Sequence, residues 1–284
     1  MHHNNQSSDI ILEDGGWPGR GFFSSVNLSL VAILWCQQKG LNPSIGNSIL
    51  RLYSHPFTRN AFRRRPYSSF FGNSWLPSKK CEELDIGDIW LSTIENIDIN
   101  SESIINKLFA INTSLQARMP GDISNYTNAK PENWPTHYDV AIHYRGCDYL
   151  KNTPKDHVPN LAPEPFIEQI LPLISNKNNI FVATDDSSFL RCLRKRNIKF
   201  YAFNDVNRAG PGKGSHIKNR LQRAGIEPLK APFFRGLKVL RDCTHLSKAT
   251  HYIGSNSNLM YYSRVLNPRI IVNNLSINQT LCKP

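Results

Sequence analysis

Ala141-Ile142-His143-Tyr144-Arg145-Gly146-Cys147-Asp148-Tyr149 carries an apolar strand directly into a charged turn, and the class of fold follows from what surrounds it. Val140 to Ile142 are β-formers without polar alternation, the pattern of a strand buried on both faces of a parallel sheet. His143, Arg145 and Asp148 arrive where that strand gives way to a loop. Open parallel sheets bind their ligands outside the carboxyl ends of the strands, so polar side chains at this junction stand where a site is built. Arg145 offers a rigid fork of donors to a phosphate or a carboxylate. A plainer reading of the same residues is an Arg145–Asp148 ion pair that closes the turn.

From Thr136 onward, strands and helices alternate as βαβ units require. The strand ending at His143 is followed by a Pro-rich loop, a helix from about Pro163 to Ser175, and the strand Ile180-Phe181-Val182-Ala183, closed by Thr184-Asp185-Asp186. Ser187 or Ser188 then starts a basic helix to Arg196, and Lys199 to Phe203 reads as the next strand. After an irregular segment, Asn204 to Leu229, a helix from Phe233 to Ala249 leads to a strand from His251 to Ile253. The turn Gly254-Ser255-Asn256-Ser257-Asn258, a helix to Leu266 and a strand from Arg269 to Val272 complete a doubly wound sheet. Three strand ends carry polar residues: His143/Arg145/Asp148, Thr184/Asp185/Asp186 and Ser255/Asn256/Ser257. A parallel sheet gathers them on one edge. The last of them opens a helix, so Ser257 and the neighbouring N–H groups suit a phosphate. With Arg145 the set describes a diphosphate site, and the lack of any Asp-x-Asp triplet speaks against a metal bridging it, so no metal ligands are expected. Gly212-Lys213-Gly214 is not a phosphate loop, because the first glycine is missing and Lys213 is followed by Gly rather than Ser or Thr.

The first half is less regular. Met1 to Asp14 is polar and ends in Ile10-Ile11-Leu12, which reads as an edge strand or an unstructured lead. Gly15 to Ser25 is a glycine-rich loop, with Ser24 or Ser25 placed to cap a helix through Val26, Leu30, Ile33 and Leu34 to Gly40. Such a loop brings backbone N–H groups up to an anion, or equally makes a tight turn that packs Phe22 and Phe23. A short strand falls within Asn42 to Ile49, and Ser101 to Ile111 has apolar residues at helical spacing. Interleaved arginines and aromatics from Tyr53 to Ser78 suit stacking on sugar rings or bases, or simply the anchoring of an irregular segment. Pro120 to Pro135 is polar and Pro-containing, a linker that divides an N-terminal α/β domain, 1–135, from a C-terminal Rossmann-like domain, 136–284.

The 284 residues, 40% of them hydrophobic, are ample for two modest cores and exclude a disordered chain. The formal net charge of +12 invites anionic partners without choosing among them. Only Arg63-Arg64-Arg65 and the Arg191 to Lys199 segment are dense in base, so no continuous nucleic-acid stripe is evident and solvated faces around one anion pocket fit better. The six cysteines are scattered with no C-x-x-C pair, which argues for free thiols in a reducing, cytoplasmic setting rather than a zinc site or a disulfide framework. The apolar run Leu28 to Cys36 is too short to span a membrane and lacks the flanks of a signal peptide. The N-x-S/T triplets read as chance occurrences.

Taken together, these motifs resemble the GT-B glycosyltransferases that use GDP-fucose, in particular the α1,6-fucosyltransferases of animals and of nodulation-factor synthesis. His143-Tyr144-Arg145-Gly146-Cys147-Asp148 is similar to that family's His-x-Arg-x-x-Asp signature, and Phe181-Val182-Ala183-Thr184-Asp185-Asp186 to its strand ending in Ala-Thr-Asp-Asp. Arg235 to Ser247 resembles the helix whose aspartate, here Asp242, contacts the donor, and Tyr252-Ile253-Gly254-Ser255-Asn256-Ser257-Asn258 the last donor-side turn. Arg208-Ala209-Gly210-Pro211 has a counterpart in the nodulation enzymes. Order and spacing hold over about half the chain; in the first half only the Gly19 to Ser25 loop and its helix correspond.

The resemblance implies a GT-B fold, two Rossmann-like domains facing a cleft, with 1–135 on the acceptor side and 136–284 binding the nucleotide sugar. It implies an inverting, metal-independent transfer of fucose from GDP-fucose to a glycan hydroxyl, with no cofactor beyond that donor. Arg145 would hold the diphosphate, His143 and Asp242 the nucleoside, and Ser257 with its backbone would take phosphate oxygens, with Thr184, Asp186, Ser255 and Asn256 also on the donor and Gly21 and Phe22 closing from the other domain. Asp242 also reads as a surface carboxylate paired with Arg241 or Lys238. Where animal members carry Lys directly after the motif's Asp and a Glu shortly beyond, this chain has Tyr149, with Lys151 and Asp156 further on. Lys151 would then replace the phosphate-binding lysine and Asp156 the general base, though both also read as loop charges. The expected partners are a nucleotide sugar and a glycan or glycoconjugate acceptor, without nucleic acid or a transmembrane segment, and the basic surface is compatible with peripheral membrane contact. Rival readings are a transferase using another nucleotide sugar, a catalytically silent sugar-binding relative, and a non-enzymatic polyanion- or nucleic-acid-binding protein.

Overall fold

The computed structural model describes residues 9–13, 22–46, 49, 82–86, 88–89, 98, 101–146, 161–206, 208, 231–255 and 257–275. It divides into two compact units, Met1–Thr127 with Lys230–Val239, and Asn128–Leu229 with Leu240–Pro284.

The first unit holds a three-stranded parallel sheet in the order β2 (Asn42–Ile45), β1 (Asp9–Glu13), β3 (Glu82–Asp85). The segment around Ile10 and Leu12 is therefore not an edge strand or a loose lead but the centre of the sheet. Both of its sides carry parallel ladders, and Ile10 and Leu12 are buried. Helix α1 (Phe22–Gln38) crosses from β1 to β2 and buries 13 of its 17 residues, which makes it an interior helix without a polar face. It begins at Phe22 rather than after Ser25: Ser24 and Ser25 lie inside its first turn, and the Ser29 hydroxyl donates to the Ser25 carbonyl at 2.7 Å. Gly40, at φ +68°, supplies the left-handed step that ends the helix, with the Leu41 N–H bonded to the Cys36 carbonyl.

Helix α2 (Glu102–Gln116) is capped by Ser101 and buries the stripe Ile105, Leu108, Asn112 and Leu115. The polar stretch read as a linker contains a further helix, α3 (Gly121–Asn128), held by Ile123 and Thr127, which lie four residues apart on one face.

The second unit is built on a four-stranded parallel sheet in the order β5 (Ile180–Thr184), β4 (Tyr138–Tyr144), β6 (Ala249–Gly254), β7 (Ile271–Asn274). The strand expected from Lys199 to Phe203 is reduced to one parallel bridge, in which Tyr201 exchanges bonds of 2.8 Å with Ile180 and Val182 on the free side of β5. Counting Tyr201 as the third position, the spatial order is 3-2-1-4-5, that of a doubly wound dinucleotide-type sheet. Helices α4 (Pro163–Ile174) and α5 (Ser187–Lys195) bury Phe166, Ile167, Ile170, Phe189 and Leu193 against Val140, Ile142 and Val182 on one face. Leu246, which ends α6 (Ala231–Leu246), and Met260 of α7 (Asn258–Leu266) join Tyr138, Ala141, Phe181 and Tyr252 on the other. Helix α6 stops at Leu246, short of the expected Ala249, because β6 already begins there, and β7 starts two residues beyond the expected Arg269.

Candidate functional site

In the 3-2-1-4-5 order the chain leaves β4 toward one side of the sheet and reaches β6 on the other, so the crevice between their carboxyl ends is the topological switch point. Register places His143 level with Ala183 on one side and Gly254 on the other, and Tyr144 level with Thr184. The three polar strand ends of the sequence thus do share an edge. Gly254 is required at this closeness, because a Cβ there would stand 2.7 Å from the His143 backbone oxygen.

Each of the two strands flanking the crevice ends in a tyrosine followed two residues later by a glycine. A Cβ at Gly146 would meet Tyr144 Cε1 at 2.5 Å, and a Cβ at Gly254 would meet Tyr252 Cε1 at 3.0 Å. The rings lean along their strands into the space the missing side chains leave, and carry their hydroxyls to the edge. The Tyr144 ring stacks on Phe189, with centroids 4.2 Å apart, and its hydroxyl donates to the Leu161 carbonyl at 2.9 Å.

The expected site residues fall into three groups. His143, Arg145, Ser255 and Ser257 lie at the crevice itself. His143 is buried, and that burial, with the Arg145 guanidinium adding to it, lowers its pKa to about 3, so the imidazole is neutral near pH 7. Ser257 is the N-cap of α7, its Oγ accepting from the Met260 N–H at 3.1 Å. Thr184 and Asp186 form a second group that builds the turn from β5 into α5. Thr184 Oγ1 accepts from the Asp186 N–H at 3.0 Å, and Asp186 Oδ1 accepts from both the N–H and the hydroxyl of Ser188 at 2.7 and 2.6 Å. Asp186, not Ser187 or Ser188, is thus the cap of α5. Asp185, between them, accepts from the Gly146 N–H at 3.1 Å and ties the turn after β4 to the end of β5.

Asp242 belongs to a third group on α6. Its neighbour Cys243 shares a hydrogen bond of 3.2 Å with the Ser263 hydroxyl and lies 3.7 Å from the Leu259 carbonyl, which packs this part of α6 against α7. Arg241 bridges to Asp205 and lies over the Phe203 ring at 3.7 Å. Arg208 donates to the Phe203 carbonyl at 2.7 Å; burial works against its charge and the nearby Asp242 carboxylate supports it. Phe22 is buried at the start of α1 in the first unit. Gly21, Asp148, Lys151, Asp156 and Asn256 lie outside the described residues.

Three buried polar atoms on the crevice side of the sheet have no hydrogen-bond partner: His143 Nδ1, Asp186 Oδ2 and the Tyr252 hydroxyl. Buried polar groups are nearly always paired, so each of these atoms is a donor or acceptor left available at the edge where the strands end. Of the residues that matter here, Tyr144 and Tyr252 were quoted in their motifs without a role, and Asp185 was named only among the polar residues closing β5. The available signal was the repeated Tyr-x-Gly ending of β4 and β6. Among the described residues no group of three or more His, Cys, Asp or Glu could hold a metal ion, and no helix is long and apolar enough to cross a membrane.

No family model and no curated protein matches the chain in sequence. Solved structures do match in fold. A NodZ alpha-1,6-fucosyltransferase co-crystallised with GDP superposes with a TM-score of 0.50 at 12% identity, covering 95% of this chain and 96% of that one. NodZ from Bradyrhizobium and NodZ soaked with GDP-fucose each give a TM-score of 0.50 at 12% identity, over 96% of both chains. At that identity the likeness is one of architecture: the chain has the α/β fold of these fucosyltransferases, the GT-B class expected from its motifs.

Proposed function

We propose that the protein is an inverting, metal-independent fucosyltransferase that moves fucose from GDP-fucose to a hydroxyl of a glycan or glycoconjugate. The observation that carries this reading is the crevice between β4 and β6, where Arg145, the neutral His143 and the Ser257-capped start of α7 meet at the switch point of a sheet whose fold is that of fucosyltransferases. The C-terminal unit is the donor side and the N-terminal unit the acceptor side. Arg145 holds the diphosphate and stabilises the charge that gathers on it as the bond between fucose C1 and the GDP oxygen breaks. The N–H groups of α7 with Ser255, Asn256 and Ser257 take phosphate oxygens at the positive end of a helix. His143 and Asp242 hold the nucleoside, Asp242 accepting from the N–H edge of guanine. Thr184 and Asp186 act on this site through the turn they shape beside Arg145. The acceptor oxygen attacks C1 from the face opposite GDP and passes its proton to a carboxylate, for which Asp156 is the candidate, with Lys151 as a second cation on the phosphates. A cytoplasmic location belongs to the same proposal.

A panel of nucleotide sugars, scored by thermal shift and by GDP release, tests the reading. GDP and GDP-fucose are expected to stabilise the protein above all others, and Arg145→Ala to lower turnover about 100-fold or more, the scale of losing one charge-stabilising donor. No shift with GDP, or undiminished turnover in the variant, overturns it. A preference for a different nucleotide sugar redirects the donor assignment while keeping the scaffold.

A further inference from the structure

The two Tyr-x-Gly strand ends make the same device with different outcomes. Tyr144, packed against α4 and α5, has its hydroxyl satisfied by Leu161. Tyr252, fully buried on the opposite face, extends its ring over Gly254 toward the α7 cap, where a Cβ on that glycine would stand 3.3 Å from its hydroxyl. That hydroxyl has no hydrogen-bond partner. Ser257 is the neighbouring polar side chain, close enough to act on the phenol yet without a hydrogen bond of acceptable geometry to it. Ser257 Oγ already accepts from the Met260 N–H, so its own proton is free to point elsewhere. The His143 ring, with its own unpaired Nδ1, has its centroid 6.4 Å from that of Tyr252. A buried, unpaired hydroxyl costs stability in the unliganded protein, and phenylalanine would fill the same volume without that cost.

We propose that Tyr252 is a positioning residue for anion binding at the start of α7: when a diphosphate draws the Ser257 turn toward itself, the Tyr252 hydroxyl donates to Ser257 Oγ and holds that side chain in its phosphate-binding orientation. The inference rests on the donor-site reading above and deepens it by naming the group that sets the cap. It assigns the unliganded state an unmet donor and the liganded state the bond that satisfies it, so part of the binding energy comes from curing a defect of the empty site.

The test is a double-mutant cycle on the full chain with GDP and with guanosine as probes. Tyr252→Phe is expected to leave the unliganded melting temperature unchanged or raised, and to weaken GDP about 5-fold while leaving guanosine, which has no phosphate, unaffected. Ser257→Ala is expected to weaken GDP by at least as much, and adding Tyr252→Phe to it to have no further effect, the signature of two groups acting as one. A lowered unliganded melting temperature with unchanged GDP affinity would assign Tyr252 to packing alone and overturn the inference; additive losses would place the tyrosine outside the Ser257 turn and overturn it as well. Arg145→Ala separates the two levels. If wild type binds GDP and that variant does not, the site stands and the Tyr252 cycle decides the inference by itself; if wild type binds no GDP, both fall together.

Discussion

At the scale of single residues the crevice is governed by atoms that are absent. Gly254 brings β4 and β6 close enough that any side chain would press on the His143 carbonyl, a backbone atom no rotamer change can move. Gly254→Ala is therefore expected to lower stability by about 1–3 kcal/mol, the usual cost of overpacking, measured as a shift in the urea midpoint at constant slope. An unchanged midpoint would mean that the strands are not held at this spacing. Gly146→Ala is expected to cost as much, since the Tyr144 ring and the Asp186 carboxylate it would meet are fully buried and held by Phe189 and Ser188. Residue identity revealed part of this site in advance. Arg145, His143 and Ser257 were legible because charge, imidazole and a helix-opening serine have few reasons to follow a buried strand. Tyr252 was not, because a tyrosine in a strand counts first as a β-former, and only its hydroxyl's surroundings reveal that it is unpaired.

Among the elements, legibility followed burial. Strands β4, β5 and β6 sit inside a sheet covered on both faces, and the apolar runs of β4 and β5 stand out at sight. The elements of the first unit lack that contrast. Strand β1 has only three apolar residues, β3 is Glu-Glu-Leu-Asp, and α3 is an eight-residue helix with two buried side chains, too short for its period to emerge from a polar background. Parallel pairing on both flanks, which the local sequence does not encode, is what makes β1 central. Helix α5 shows how the start of an element and a functional motif share residues. Asp186 was singled out as part of a donor motif, and its Oδ1 also accepts two bonds from Ser188 as the helix cap. Asp186→Ala is expected to cost about 1–2 kcal/mol in chemical denaturation, as loss of a good N-cap does, whereas Asp186→Asn, which keeps an acceptor in place, should recover most of that stability. Equal losses in the two variants would show that the charge, not the cap, is what the fold requires.

For the molecule as a whole, each unit repeats the same scheme: a parallel sheet whose first strand lies in the middle and whose later strands are added on either side. The second unit holds one buried imidazole at the strand ends and another, carried by α6, in its core. His143 stands at the crevice, and His245 lies in the aromatic core, bonded through Nδ1 to the Tyr138 hydroxyl at 2.9 Å. Burial lowers the pKa of both to about 3, Arg145 adding to the effect at His143 and Lys248 at His245. In the unfolded chain both take up a proton near pH 6.5, while the folded chain excludes it down to about pH 3. Unfolding therefore binds protons throughout that window, and stability falls as the pH is lowered through it, each histidine contributing to the loss. Trp134 packs in the same aromatic cluster, its ring 6.3 Å from His245, so in a variant with the other four tryptophans replaced by phenylalanine its fluorescence reports the unfolding of this unit. Urea titrations between pH 7 and pH 4 should show a steady loss of stability, and His245→Asn should remove close to half of the histidine-dependent slope while His143 supplies the remainder. A slope that does not respond to His245→Asn would mean that this imidazole is protonated in the folded core, and would leave the pH sensitivity of the unit to its carboxylates.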